Sequence, residues 1–127
     1  VKNLETEISF KIIGAAIEMH RVLGPGLLES AYEAALAHDL RELGLKISTQ
    51  VPMPLVNKGI RQEVGFRIDL LVEDKVVVEI KSLERLAPVH YAQVLTYLRL
   101  SEKRLALLIN FNTKVLKDGI FRIVNNL

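Results

Sequence analysis

Gly65-Phe66-Arg67-Ile68-Asp69-Leu70-Leu71-Val72, then Glu73-Asp74, then Lys75-Val76-Val77-Val78-Glu79-Ile80-Lys81: on these residues the reading of the fold turns. Two runs rich in β-branched and apolar residues bracket an acidic turn, the pattern of a β-hairpin. In the second run Val76, Val78 and Ile80 point one way, and Val77, Glu79 and Lys81 the other. A three-residue loop, 73–75, sets Asp69 directly across from Glu79. A two-residue loop would put the pair on opposite faces unless a bulge restored parity. A solvated strand face would account for Glu79 and Lys81 taken alone. Two carboxylates facing each other are a different matter, because they repel unless something positive lies between them. Lys81 is one candidate for that charge and a divalent cation is another. Carboxylate oxygens are hard ligands, suited to Mg²⁺ or Mn²⁺. Paired carboxylates with a lysine two residues on are what metal-assisted phosphodiester hydrolysis uses: the metal neutralises phosphate charge and the lysine steadies water or a developing oxyanion.

The hairpin sits inside a chain of 127 residues, which reads as a single domain over 1–127. Towards the N-terminus, Leu4 to Leu23 spaces Ile8, Ile12, Ala15, Ala16, Met19 and Leu23 as one helical face. Gly24-Pro25-Gly26 stops that helix. A second helix runs from about Leu28 to Leu43, with Tyr32, Leu36, Leu40 and Leu43 on its stripe and Gly44 beyond its end. Ile47 to Val56 contains Pro52 and Pro54 and suits an edge strand; Asn57-Lys58-Gly59 is a turn. Beyond the hairpin, Pro88 opens a helix reaching about Leu100, Arg104 to Phe111 is an apolar central strand, and Ile120 to Val124 is a short last one. The order α-α-β-β-β-α-β-β describes an α/β fold, a mixed sheet of four or five strands flanked by helices.

Half the residues are hydrophobic and a quarter charged, with no cysteine. Disorder, disulfides, thiolate nucleophiles and Cys-ligated metals are thereby excluded. No apolar run approaches a membrane span, no signal peptide is read in Val1 to Glu7, and the expected location is cytoplasmic. The net charge of +2 is uninformative, but residues 97–127 carry six basic side chains (Arg99, Lys103, Arg104, Lys114, Lys117, Arg122) against Glu102 and Asp118. Such a basic end could face phosphates or simply be solvated. His20, His38 and His90 have no metal-ligand spacing. H-E-x-x-H, G-x-S-x-G and phosphate-binding glycine loops do not occur.

Asp69 followed by Glu79-Ile80-Lys81 resembles the D…(D/E)-x-K signature of the PD-(D/E)xK nucleases. Gln93-Val94-Leu95-Thr96-Tyr97 is similar to the Q-x-x-x-Y motif of RecB-like members, and Gly26-Leu27-Leu28-Glu29-Ser30-Ala31-Tyr32 to the G-x-x-E-x-x-Y motif of a group of small proteins in the same superfamily. The likeness spans roughly residues 4 to 124 and departs at one point, where Ile68 replaces the proline before the aspartate. It implies a restriction-endonuclease-like core and a Mg²⁺- or Mn²⁺-dependent nuclease acting on DNA rather than RNA. Asp69, Glu79 and Lys81 are then catalytic. Asp69 and Glu79, the Ile80 carbonyl and Glu29 form the metal set, and Gln93 and Tyr97 hold the nucleic acid. The alternative is a non-catalytic module that keeps the fold to bind nucleic acid or protein. Homodimerisation would let so small a chain cut both strands. Without the resemblance, Glu29 reads equally as a helix-dipole partner, Tyr32 as core, and Gln93 with Tyr97 as an amphipathic face over a Leu95–Leu98 stripe. His90 is a conceivable accessory beside Gln93.

Overall fold

A computed structural model describes residues 3–127, the side chain of Val64 apart. Helix α1, Leu4–Leu23, begins where the Asn3 side chain accepts the Thr6 N–H at 2.8 Å, with Glu5 and Glu7 in its first turn. It ends at Gly24, whose φ of 69° lies in the left-handed region that glycine enters freely. Helix α2 spans Glu29–Glu42, followed by β1 Ile47–Asn57, β2 Ile60–Val72 and β3 Val76–Lys81. Helix α3, Pro88–Ser101, carries the chain over to β4 Leu105–Asn110. A short 3-10 turn, Leu116–Gly119, leads into β5 Ile120–Val124.

The five strands lie in the order β1-β2-β3-β4-β5, antiparallel except for the parallel β3–β4 pair that α3 bridges. Helices α1 and α2 cover one face. Ile12, Ala16, Leu36 and Leu40 meet Leu70, Val72, Val76, Val78, Leu105 and Leu107 in one core. Helix α3 covers the other, where Val94 and Leu98 meet Ile68, Leu71, Val77, Ala106 and Leu108. Strands β3 and β4 are buried on both sides, which is why they read as unbroken apolar runs. This three-layer α/β arrangement is the restriction-endonuclease-like fold expected, with β1 at the edge and its two prolines on it.

Three expectations need correction. The second strand starts at Ile60 rather than Gly65. Gly65 lies inside it, at an irregularity in the β1–β2 register where a Cβ would overlap the Met53 carbonyl. Helical spacing puts Leu23 and Leu43 on buried stripes, but they are 40% and 57% exposed; Leu23 is the last residue of α1 and Leu43 caps the end of α2. In α3 the residues in the core are Val94 and Leu98, with Leu95 only half-buried. Leu107→Ala should therefore cost about 2–5 kcal/mol in denaturant unfolding, and Leu43→Ala no more than about 0.5 kcal/mol.

Candidate active site

The β2–β3 turn has the three-residue loop that faces Asp69 with Glu79. Val72 pairs with Val76, Leu71 with Val77 and Leu70 with Val78. Glu73 and Asp74 adopt φ values of 54° and 56°, and the Lys75 N–H donates to the Val72 carbonyl at 3.0 Å. The backbone ladder stops at Leu70–Val78, one step short of the carboxylates. Side chains carry the pairing on from there. The Ile80 N–H donates to Asp69 Oδ2 at 2.8 Å, and the Asp69 N–H donates to Glu79 Oε1 at 3.2 Å. Each acid is thus tied to the other's strand.

Burial and repulsion leave their mark on Glu79, which is only 4% exposed. Loss of solvent, then the neighbouring Asp69 carboxylate, push its carboxyl up to about 8, against the opposing pull of the Asp69 N–H and the Lys81 charge. Tyr97 on α3 is raised too, by burial and then by Glu79 and Asp69. Its ring stacks on Phe66 of β2, centroids 3.9 Å apart. Gln93, one turn earlier, is exposed. The acidic field therefore reaches α3 on one side of the sheet.

On the other side Asp69 and Ile80 line a cavity of about 330 Å³ with Glu29, Ser30, Glu33 and Gln50. Gln50 Nε2 donates to Glu33 at 2.5 Å and to Asp69 Oδ1 at 3.2 Å, bridging the two acids. Burial raises the Glu33 carboxyl and Asp69 adds to the rise, while the Gln50 hydrogen bond lowers it. Neither Glu33 nor Gln50 is expected at the site from the sequence reading. Glu33 is one turn beyond Glu29 on the same helix face, a spacing visible in the sequence. Gln50 has a φ of 50°, left-handed for a non-glycine residue, which no pattern announces.

The G-x-x-E-x-x-Y residues act as a brace. Tyr32 is fully buried, stacks on Phe111 at 4.6 Å, donates to the Gly24 carbonyl at 2.6 Å and accepts the Leu27 N–H at 3.2 Å. The loop it holds is tied to the residue after Lys81: Ser82 Oγ donates to the Leu27 carbonyl at 2.7 Å, and the Ser82 N–H donates to Glu29 Oε2 at 3.4 Å. Glu29 is the first residue of α2, and Gly26 lies in the turn before it. His90 is not at the site; its Nδ1 accepts the Ala87 N–H at 2.8 Å and closes the start of α3. His20 is a buried core histidine on the Phe111 carbonyl at 3.0 Å.

The model of the PD-(D/E)XK nuclease superfamily matches residues 6–123. The chain belongs to that superfamily. Neither a curated protein nor a solved structure matches it. Superfamily members typically use divalent metals. The donors fit such an ion: every candidate side chain offers hard oxygen, and each carboxylate oxygen in a hydrogen bond keeps a second lone pair. Among the described residues, no three acidic or histidine side chains already stand close enough to hold one. No described helix is long and apolar enough to cross a membrane.

Glu79 has a consequence for stability in metal-free buffer. The native protein keeps this proton up to about pH 8, whereas the unfolded chain releases it near 4.5. Between those values the native state binds more protons, so the stability contributed by Glu79 falls as pH rises. Glu79→Gln keeps the acceptor for the Asp69 N–H and removes the titration. The variant should match the wild type near pH 4.5 and exceed it at pH 8 by a few kcal/mol, since each pH unit crossed between the two values costs the wild type ~1.4 kcal/mol. Chemical denaturation at a series of pH values measures this, and parallel profiles for the two proteins would contradict it.

Proposed function

We propose that the protein is a nuclease that hydrolyses phosphodiester bonds, in DNA rather than RNA, with Mg²⁺ or Mn²⁺, and that it falls in the G-x-x-E-x-x-Y group of its superfamily. The observation that carries the reading is the crossed Asp69–Glu79 pair, with Lys81 two residues on and with Glu29 across the cavity that Asp69 lines but Glu79 and Lys81 do not. A purely structural hairpin gains nothing from holding two acids together at the cost of repulsion. Asp69 and Glu79 would hold the cation, with the Ile80 carbonyl and Glu29 as further oxygen donors. When bound, the ion supplies charge neutralisation at the phosphate and acidifies water.

The protein's own groups do the rest. Lys81 ends β3 on the side of Glu79 and lowers that carboxyl's affinity for a proton. Its ammonium is a donor only, so its part is to orient the attacking water and to stabilise charge developing on the phosphate oxygens. Tyr97, with its phenol in the acidic field and its ring on Phe66, would meet a sugar–phosphate strand, and Gln93 would offer it an exposed amide one turn away. Gln50 keeps Glu33 and Asp69 from separating.

Mn²⁺ at millimolar concentration should raise the Tm of the wild type by binding the native state, and Asp69→Asn with Glu79→Gln should abolish that response. Lys81→Ala should preserve the Mn²⁺ response and cut cleavage of single- and double-stranded DNA by ~10²–10³. Wild-type protein that binds DNA but shows neither cleavage nor a Mn²⁺ response would establish the non-catalytic binding module instead.

A further inference from the structure

The six basic residues of the C-terminal quarter do not form one face. Lys103 pairs with Asp74 at 3.3 Å, and Arg104 with Glu5 at 3.9 Å, near the turn end of the β2–β3 hairpin. Arg122 donates to Thr6 at 3.3 Å. Lys114 and Lys117 are exposed and lie elsewhere, in the segment between β4 and β5. With Arg21 of α1, whose guanidinium pairs with Glu18, they line a cavity of about 440 Å³, walled also by Ile17, His20, Pro25 and Leu116; among the described residues no Asp or Glu lines it. Asp118, next in sequence to Lys117, opens instead on a different cavity beside Phe121.

The place of this cavity is as telling as its charge. Strands β3 and β4 run parallel with Lys81 beside Asn110, so both end at the same edge of the sheet. Lys81 closes β3 there, and Lys114 follows four residues after Asn110. Phe111 joins the two regions: its N–H donates to the Lys81 carbonyl at 2.9 Å, its ring stacks on Tyr32, and its carbonyl bonds His20. The Gly24–Leu27 loop has the basic cavity at one end and Glu29 and Ser82 at the other. In open α/β sheets ligands gather at the carboxyl ends of parallel strands.

Lysines near the last turn of α1 could merely complement its dipole. That role would bring their amines to the terminal carbonyls, yet among the described residues neither Lys114 nor Lys117 forms a hydrogen bond or ion pair. The His20 carbonyl is taken by the Gly24 N–H at 2.8 Å. Two free ammonium groups, beside a guanidinium already paired with Glu18, around a space of this size suit an oxyanion with several acceptor oxygens. A phosphodiester is such a group.

We infer that the cavity lined by Arg21, Lys114 and Lys117 holds a backbone phosphate of the nucleic acid substrate, on the far side of the Gly24–Leu27 loop from the Asp69–Glu79 pair. The inference rests on the nuclease reading and adds where the substrate strand runs: past α3 at Tyr97, over the acids, and on to the 3-10 turn.

The test is equilibrium binding of fluorescein-labelled duplex DNA, single-stranded DNA and single-stranded RNA across a salt series, without divalent metal. The proteins are wild type, Lys114→Ala with Lys117→Ala, and a charge-matched control, Lys46→Ala with Lys75→Ala, at the opposite end of the sheet. Losing the one phosphate held there should lower the magnitude of the log–log salt slope by ~0.9 on duplex DNA and ~0.7 on single strands, and weaken duplex binding several-fold at ~0.1 M salt. The control should keep the wild-type slope, and thermal melting should place all three proteins alike. An unchanged slope in the Lys114/Lys117 variant, or an equal fall in the control, overturns the phosphate site; cleavage by the wild type with Mn²⁺ would then leave the nuclease reading standing. A wild type that neither binds nor cleaves any of the three overturns both. The profile across the three probes separates duplex from single-strand substrates.

Discussion

Two carboxylates, each held by a backbone N–H of the other's strand, are the constraint around which this molecule is arranged. Asp69 takes the Ile80 N–H and Glu79 takes the Asp69 N–H, so the hydrogen bonds that would continue the ladder are made by the acids themselves. Neither side chain can swing away without orphaning a partly buried N–H, a loss of ~1–3 kcal/mol. The repulsion is therefore locked in, and burial first, with that repulsion second, makes Glu79 hold a proton far above the ordinary carboxylate range.

Everything packed against the pair keeps it so. β3, which carries Glu79, and its neighbour β4 are buried on both faces and cannot shift without opening two cores at once. Tyr32 fixes the Gly24–Leu27 loop, that loop fixes Ser82, and Ser82 closes onto Glu29. The tyrosine of the G-x-x-E-x-x-Y motif thus never reaches the acids. It sets the position of the glutamate three residues before it, a role that stacking on Phe111 makes rigid.

How much of this the amino-acid sequence discloses depends on the range of the interaction. Strand and helix identities follow from periodicity and from prolines and glycines, which act over a few residues. Asp69 facing Glu79 follows from the length of a single turn, 73–75, and so is legible. Glu33 and Gln50 are not. Glu33 on a half-exposed helix face is indistinguishable from any solvated glutamate until Gln50, seventeen residues on, is brought to it by the edge strand. Leu23 and Leu43 mislead for the converse reason: helical spacing marks a face but not where the neighbouring sheet ends.

The deeper reason lies in a change of parity that no pattern advertises. Leu70 and Val72 pack towards α1 and α2, and Leu71 towards α3, so regular alternation would bury Asp69 beside Leu71. Instead Ile68 takes the α3 face, and in the paired strand Val51 packs towards α3 although Ile47, four residues earlier, packs towards α1. The register is the same on both sides, Thr49 with Leu70 and Val51 with Ile68. Both strands must therefore turn over within one step, at Gln50 and Asp69, and the left-handed φ of Gln50 is where the chain absorbs it. The turn delivers Asp69 to the boundary between the two faces. From there one carboxylate reaches the Ile80 N–H, the cavity of Glu29 and Glu33, and the electrostatic neighbourhood of Tyr97. A straight strand could give it one of these faces; only a strand that reverses at the acid gives it both.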